Sequence, residues 1–386
     1  MDQDLQPKVV PPVDDYENRV ADKKLIKYFK AVVDLDASDL HIKEGAPPRV
    51  RVTGRMRPTK TEPLTNQQIK DLVMPLLSEQ QKQFLHTHGA VDLAYELEGS
   101  DRFRINIFRQ RGKLSVAARR VPRVIPEFAD LHLPAMVKKI AEYHQGLVLV
   151  SGITGSGKST TLAAMLEHIN RQRSCHVVSI EDPIEFLFED KKAFINQREI
   201  GIDVPTFDDA LRYLMREDPD VVLIGEMRDK ETFAAALRAS ETGHLVFATV
   251  HSSSTYQTIT RILELFAADE RTLARQSLCF NLRAIICLKL MPSIAEGVDR
   301  IPAVEIMLST ISVRKMLEEE RDGEIADIVR TSPHEGMQDF TTSLMELIEK
   351  EWVDPRVAYT YAPNVEELKM RLKGISTSGA GGMRAE

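Results

Sequence analysis

Leu147-Val148-Leu149-Val150-Ser151-Gly152-Ile153-Thr154-Gly155-Ser156-Gly157-Lys158-Ser159-Thr160 is the stretch that decides the fold of this chain. Four consecutive apolar residues run into G-x-x-x-x-G-K-[ST], and the segment 159–171 that follows carries a helical pattern. Glycines at 152, 155 and 157 let backbone N–H groups turn inward around phosphate oxygens, and the positive end of the following helix favours the same charge. In such a loop Lys158 reaches the β- and γ-phosphates and the Ser159 hydroxyl ligates Mg²⁺, while Thr154, Ser156 and Thr160 complete the cradle.

Downstream, buried strands alternate with helices. His176–Ile180, Val221–Ile224 and Leu245–Val250 read as strands, and 206–217 and 229–241 as helices. Thr206 and Asp229 serve as N-caps and Gly243 closes the last helix. This is the pattern of a parallel sheet covered on both faces. Ligands of open α/β sheets gather beyond the strand C-termini, so acids should stand there. Glu181, Asp182 and Glu185 follow the strand His176–Ile180, and Glu226 follows Val221–Ile224. A common magnesium-binding motif places Asp directly after four apolar residues, whereas this chain has Gly225 and then Glu226. Glu226 therefore serves the attacking water more than the metal. His244 and His251 flank the strand Leu245–Val250. No third ligand accompanies them, which argues against a metal pair, and the strand-end position suits contact with a phosphate or a neighbouring subunit. Beyond about 255 the chain turns helical, with Ile259, Ile262, Leu263 and Phe266 on one face.

Upstream the pattern differs. Leu25, Ile26, Phe29, Val32 and Val33 form one helical face, short alternating segments lie at 40–42, 49–52, 91–97, 102–109 and 114–120, and a helix is predicted at about 65–87. A small antiparallel α+β domain is the economical reading. Between Asp101 and Arg123 there are eight basic residues, with Arg102 and Arg104 on the strand face opposite Phe103 and Ile105. Such a face is a solvated edge, a nucleic-acid surface or a source of arginine fingers. It lacks interleaved exposed aromatics, which counts against nucleic acid.

The 386 residues, 43% hydrophobic and 28% charged with a net charge of −7, exclude a disordered chain and one coated with positive charge. Cys175, Cys279 and Cys287 are too few and too dispersed for a disulfide framework. Neither a signal peptide nor an apolar run long enough to span a bilayer is present, so the expected location is cytoplasmic.

The phosphate loop, the box Glu181-Asp182-Pro183-Ile184-Glu185, the segment from Arg216-Glu217-Asp218-Pro219-Asp220 to Gly225-Glu226-Met227-Arg228-Asp229, and Glu241-Thr242-Gly243-His244-Leu245 occur in that order. Together they resemble the secretion-type ATPases, most closely the type IV pilus retraction ATPases of the PilT/PilU group. The resemblance implies an α/β fold with a RecA-like P-loop NTPase core at 146–370, preceded by a smaller α+β PAS-like domain at 21–122 and a linker at 123–145. A mobile arm at 1–20 and a flexible tail at 371–386 complete the expected layout. It further implies a homo-hexamer that hydrolyses ATP with Mg²⁺ at subunit boundaries and drives pilus retraction in twitching motility. It would sit at the inner membrane by docking on the pilus platform protein, beside a paralogous retraction ATPase, and no nucleic acid is expected. Glu185 is implied as the general base, Glu226 as its assistant at metal and phosphate, His244 and His251 as histidine-box members, and Arg104 and Arg120 as arginines reaching ATP from the N-terminal domain. The helix Ser312-Val313-Arg314-Lys315-Met316-Leu317-Glu318-Glu319 is the acidic counterpart of a downstream family motif, and it leans the chain toward PilU-like paralogues. The alternatives are a pilus-extension or type II secretion ATPase, disfavoured by the lack of a four-cysteine module, and a non-catalytic accessory subunit, disfavoured by the full set of site residues.

Overall fold

A computed structural model describes residues 21–373. The arm expected at 1–20, and residues 374–386 of the expected tail, lie outside the described residues. The chain divides into two compact units that do not follow a single cut in sequence. Residues 182–189 and 198–210 group with the first unit, which otherwise ends at Ile125, and the rest belongs to the second.

The first unit opens with α1 (Lys23–Asp34), whose first turn is closed by Asp22 accepting from the Lys24 N–H at 2.7 Å. Next come β1 (Asp39–Lys43), β2 (Arg49–Val52), β3 (Arg55–Pro58), α2 (Asn66–Val73), α3 (Glu79–His88), β4 (Ala90–Glu96), β5 (Arg102–Gln110) and β6 (Lys113–Val121). The strands form one antiparallel sheet in the order β3-β2-β1-β6-β5-β4. Phe29 of α1 stacks on Phe103 of β5 with ring centroids 4.2 Å apart, and both are fully buried. Each such ring contributes about 1.5–3 kcal/mol relative to exposure. The single helix expected at 65–87 is two. Pro75 has no N–H to continue the helical ladder, the chain tightens into a 3₁₀ turn over Met74–Leu76, and Ser78 restarts it with a capping box to Gln81.

The second unit contains α4 (Ala135–Ala141), β7 (Gly146–Ser151), α5 (Lys158–Gln172), β8 (His176–Glu181), β9 (Phe194–Glu199), α6 (Phe207–Leu214), β10 (Val221–Ile224), α7 (Lys230–Glu241), β11 (Leu245–Val250), α8 (Thr255–Glu264) and α9 (Arg271–Asn281). After these come β12 (Leu282–Pro292), β13 (Arg300–Leu308), α10 (Ile311–Glu318), α11 (Ile325–Thr331), α12 (Phe340–Glu349), α13 (Pro355–Tyr361) and α14 (Val365–Leu372); β9 and α6 each continue into residues of the first unit. The sheet order is β13-β12-β7-β11-β10-β8-β9, parallel from β12 to β8 with β13 antiparallel at the edge. Every residue of β7, β10 and β11 is buried, as strands covered on both faces require.

Three expectations are corrected here. The segment 123–145, read as a linker, holds α4, whose Val137, Ile140 and Ala141 are fully buried. The region beyond 255 is not purely helical, because β12 and β13 follow α9. Their apolar runs are buried on both faces and carry no alternation that separates a buried strand from a buried helix. The tail expected from 371 overlaps α14, which runs to Leu372 and buries Leu368.

Candidate nucleotide site

Strand register assembles the site. Ser151 at the end of β7 pairs with Val250 at the end of β11, and Ile224 at the end of β10 pairs with Ile180 and Ala248. The residues that follow, Gly152, His251 and Gly225-Glu226, therefore leave the sheet from one edge. This is the carboxyl edge, where open α/β sheets hold their ligands.

The loop is built from glycines in backbone conformations that side chains avoid. Gly152 has φ 146°, Gly155 φ 79° and Gly157 φ 96°. A Cβ on Gly152 would lie 2.3 Å from Ser156 Oγ and 2.7 Å from the Leu288 carbonyl oxygen, so the backbone fits only without one. Lys158 Nζ donates to the carbonyls of Gly152 at 2.8 Å and Ile153 at 3.1 Å, and the side chain is buried over the loop. Burial pulls its pKa down, while Glu226 and Cys287 act in the opposite sense. The Ser156 hydroxyl is buried and has no hydrogen-bond partner among the described residues. Such orphans are uncommon and call for an explanation, which an oxyanion held in the loop would supply here. Ser159 is exposed and Thr154 opens to solvent beside it. A glycine cradle, an orphaned hydroxyl and a lysine with only carbonyl partners fit a phosphate chain, and the exposed Ser159 hydroxyl fits a magnesium ligand.

Glu226 stands beside this loop in a cleft of about 250 Å³ lined also by Arg228, Val250, His251 and Arg261. Its Oε2 accepts from Arg228 Nη2 at 2.6 Å and its Oε1 lies 3.2 Å from His251 Nε2. Burial opposes its ionisation, yet Arg228, His251 and Lys158 together hold the carboxyl below its ordinary value. The His251 imidazole is held below its own ordinary value by burial and by Lys158, with Glu226 opposing. At neutral pH the ring is thus uncharged, and its Nε2 meets the Glu226 carboxylate as a close polar contact rather than a formed hydrogen bond.

Beneath these groups lies a hydroxyl cluster that sequence reading missed. Thr258 Oγ1, fully buried in α8, sits 3.2 Å from Ser151 Oγ, 2.8 Å from the Ser254 carbonyl and within hydrogen-bond reach of Ser252 Oγ. Its single proton goes to one partner and its lone pairs serve the others. Ser151 directly precedes the glycine loop and Ser252 directly follows His251, so Thr258 pins together the two segments that frame the phosphate position. The Ser-rich run Ser252-Ser253-Ser254 before an apolar helix was the available signal. Arg228, two residues beyond Glu226 in the strand-end segment, carries no sequence signal for the carboxylate contact it makes.

The remaining expected residues divide. Glu181 is buried and its Oε1 accepts from Ser179 Oγ at 2.6 Å and Gln197 Nε2 at 3.1 Å. Glu185 is exposed and lies in residues 182–189, which group with the first unit. His244 is not brought to the loop of its own chain. It precedes Leu245, which pairs with Gly146 at the start of β7, and its ring bonds the Ala239 carbonyl at 2.8 Å. Six residues of strand separate the two edges, about 20 Å. In the first unit, Arg104 Nε lies 3.8 Å from Glu199, whose nearer partner is Arg102 at 3.1 Å. Arg120 is held between Asp101 and Asp36.

A parallel sheet with a glycine loop, a lysine and a carboxylate at one edge defines a P-loop nucleotide hydrolase. Residues 128–344 match the Type II/IV secretion system protein family. The chain is 40% identical over 314 residues to the type IV pilus retraction ATPase PilT of Pseudomonas aeruginosa, spanning 81% of this chain and 91% of that protein. It is 34% identical to the type IV pilus ATPase PilU of the same organism over 92% of each chain. The crystal structure of the pilus retraction motor PilT with bound ADP matches with a TM-score of 0.83 at 39% identity, over 89% of this chain and 98% of that one. The chain therefore belongs to the Type II/IV secretion system protein family, as a pilus retraction ATPase of the PilT/PilU type. It binds nucleotide and hydrolyses ATP. Among the described residues no helix is long and apolar enough to cross a membrane.

Proposed function

We propose that this ATPase works as a homo-hexamer in which each chain grips one ATP·Mg²⁺ and turns hydrolysis into rotation of its two units, pulling on the pilus platform protein at the cytoplasmic face of the inner membrane. In this reading the loop N–H groups and Lys158 hold the β- and γ-phosphates, and Ser159 with Glu226 would hold Mg²⁺, which would supply positive charge against the phosphates. Glu185 takes the proton of the attacking water. Glu226, oriented by Arg228 and His251, positions that water. Arg104, only loosely paired and a third exposed, is the better placed of the two arginines to reach a neighbouring chain's phosphate, since Arg120 is engaged by two acids. His244, at the far edge of the sheet, has no part in its own chain's site.

The observation that supports this reading most is the convergence of Lys158, Glu226 and His251 at one strand edge around a loop with an orphaned hydroxyl. Replacing Lys158 with Ala tests it. Turnover should fall by at least two orders of magnitude, with the circular dichroism spectrum unchanged; full hydrolysis by that variant would refute the assignment. Identity is higher to PilT while alignment is longer to PilU. Whether the chain acts as main or accessory motor is decided by measuring retraction with and without a paralogue.

A further inference from the structure

On the edge of the second unit's sheet opposite the glycine loop lies a separate open cavity of about 480 Å³, walled by Tyr143, His144, Arg283, Ser309, Thr310 and Arg314. Arg283 stands at the start of β12 and Arg314 on the first turns of α10. The donor capacity of these arginines is only partly used. Arg283 Nη1 donates to the Phe280 carbonyl at 2.9 Å, and Arg314 Nε donates to the Ser309 carbonyl at 3.2 Å. Among the described residues neither guanidinium pairs with a carboxylate. Glu142, next to Tyr143 in sequence, faces His168 at 3.1 Å, and Glu318, one turn beyond Arg314 on α10, makes no ion pair with it among the described residues.

From this cavity we infer a binding site for a phosphate group, distinct from the nucleotide site and about 20 Å away across the sheet. Two like charges share a partly desolvated space without a counter-charge, an arrangement that an anion relieves. Burial and the Arg314 charge pull Arg283 below its ordinary pKa, with only Tyr143 opposing, which records the same unmet demand. Phosphate fits better than carboxylate. Donors come from several directions, two guanidiniums and the Ser309 and Thr310 hydroxyls, whose oxygens accept from Arg314 Nε and the Val313 N–H while their protons can still be donated, and a tetrahedral oxyanion can answer all of them where a planar carboxylate meets one fork. The cavity exceeds a bare phosphate, and Phe280 and Ile311, 72% and 86% exposed, adjoin Asn281 to Arg283 and Thr310 in sequence. The phosphate is therefore either free in solution or carried on a lipid headgroup.

The full-length protein is first saturated with a non-hydrolysable ATP analogue and Mg²⁺, so that the glycine loop cannot take the probe. Two arms follow: calorimetric titration with inorganic phosphate, and co-sedimentation with phosphatidylcholine vesicles with and without phosphatidylglycerol. Wild-type protein should bind at least one probe, and Arg283→Gln and Arg314→Gln should each weaken it about tenfold or more while leaving ATP turnover unchanged. Phosphate binding alone assigns a soluble ligand; binding that needs phosphatidylglycerol assigns the headgroup. The Arg283 stem packs against the backbone at Gly146, so Arg314→Gln, on a surface helix, carries the decision if the other variant does not fold. Absence of both probes in the wild type, or equal affinity in wild type and Arg314→Gln, overturns the site.

Discussion

Gly152→Ala and Gly155→Ala make a matched pair, because both glycines have positive φ but only one is enclosed. At Gly155 a Cβ meets nothing within 4 Å, so the substitution carries only the conformational penalty of a side chain at φ 79°, about 1–2 kcal/mol. At Gly152 the same kind of penalty applies at φ 146°. There, in addition, the new carbon would lie 2.3 Å from Ser156 Oγ and 2.7 Å from the Leu288 carbonyl. A serine hydroxyl can rotate away, but the Leu288 carbonyl belongs to a sheet strand and cannot yield without disturbing β12. Crowding of this kind adds about 1–3 kcal/mol, for a total near 2–5. Moving Ser156 also displaces the orphaned hydroxyl from the phosphate position, so Mg·ADP affinity should fall more than tenfold in Gly152→Ala and less than that in Gly155→Ala. Calorimetric titration with Mg·ADP and the thermal midpoint of the apoprotein read both effects. Equal affinities and equal midpoints for the two variants would refute the crowding argument and with it the loop geometry.

Further outcomes are expected. Glu226→Gln should lower kcat by about 10²–10⁴ with smaller change in ATP affinity, since the carboxylate acts on metal and water rather than on the base or sugar. In Arg228→Gln the burial of Glu226 persists while its strongest ion-pair partner goes, so the carboxyl titrates at higher pH and the acid limb of the turnover profile moves upward; an unmoved limb removes Arg228 from any orienting role. Thr258→Val leaves Ser151 and Ser252 short of a partner, costs about 1–3 kcal/mol and lowers kcat, whereas Thr258→Ser restores both; a Val variant with wild-type turnover shows the cluster to be structural only. Partly buried Glu305 accepts from the Thr255 N–H at 2.7 Å, and loss of solvent pushes its carboxyl above the ordinary range. The folded chain therefore keeps a proton that the unfolded chain loses first. This contribution is complete below the unfolded-state pKa and fades as pH rises toward the raised value. The wild-type melting temperature should fall over that window relative to Glu305→Gln, and parallel curves for the two proteins would contradict it.

Much of this architecture is written in local signals. The loop Gly152–Ser159, the caps at Thr206 and Asp229, and the parallel strands β7, β8, β10 and β11 depend on short-range chemistry and on apolar runs of strand length. Those are features a reader of residues can weigh directly. Where reading failed, the cause was physical. Pro75 breaks a periodicity that otherwise looks continuous. β12 and β13 are buried on both faces, so their apolar runs carry no period. The apolar residues of α4 hide in a segment rich in Pro and charge.

The candidate site divides in the same way. The sequence alone determined which residue types can hold a triphosphate, because glycine conformation, a lysine and a hydroxyl at fixed spacing act over a few bonds. Only the tertiary structure decided that His251 meets Glu226 while His244 sits at the far edge, that Arg228 helps lower the Glu226 pKa, and that Thr258 ties Ser151 to Ser252. Strand register and desolvation set these relations between residues far apart in the chain, and neither is a property of any one segment.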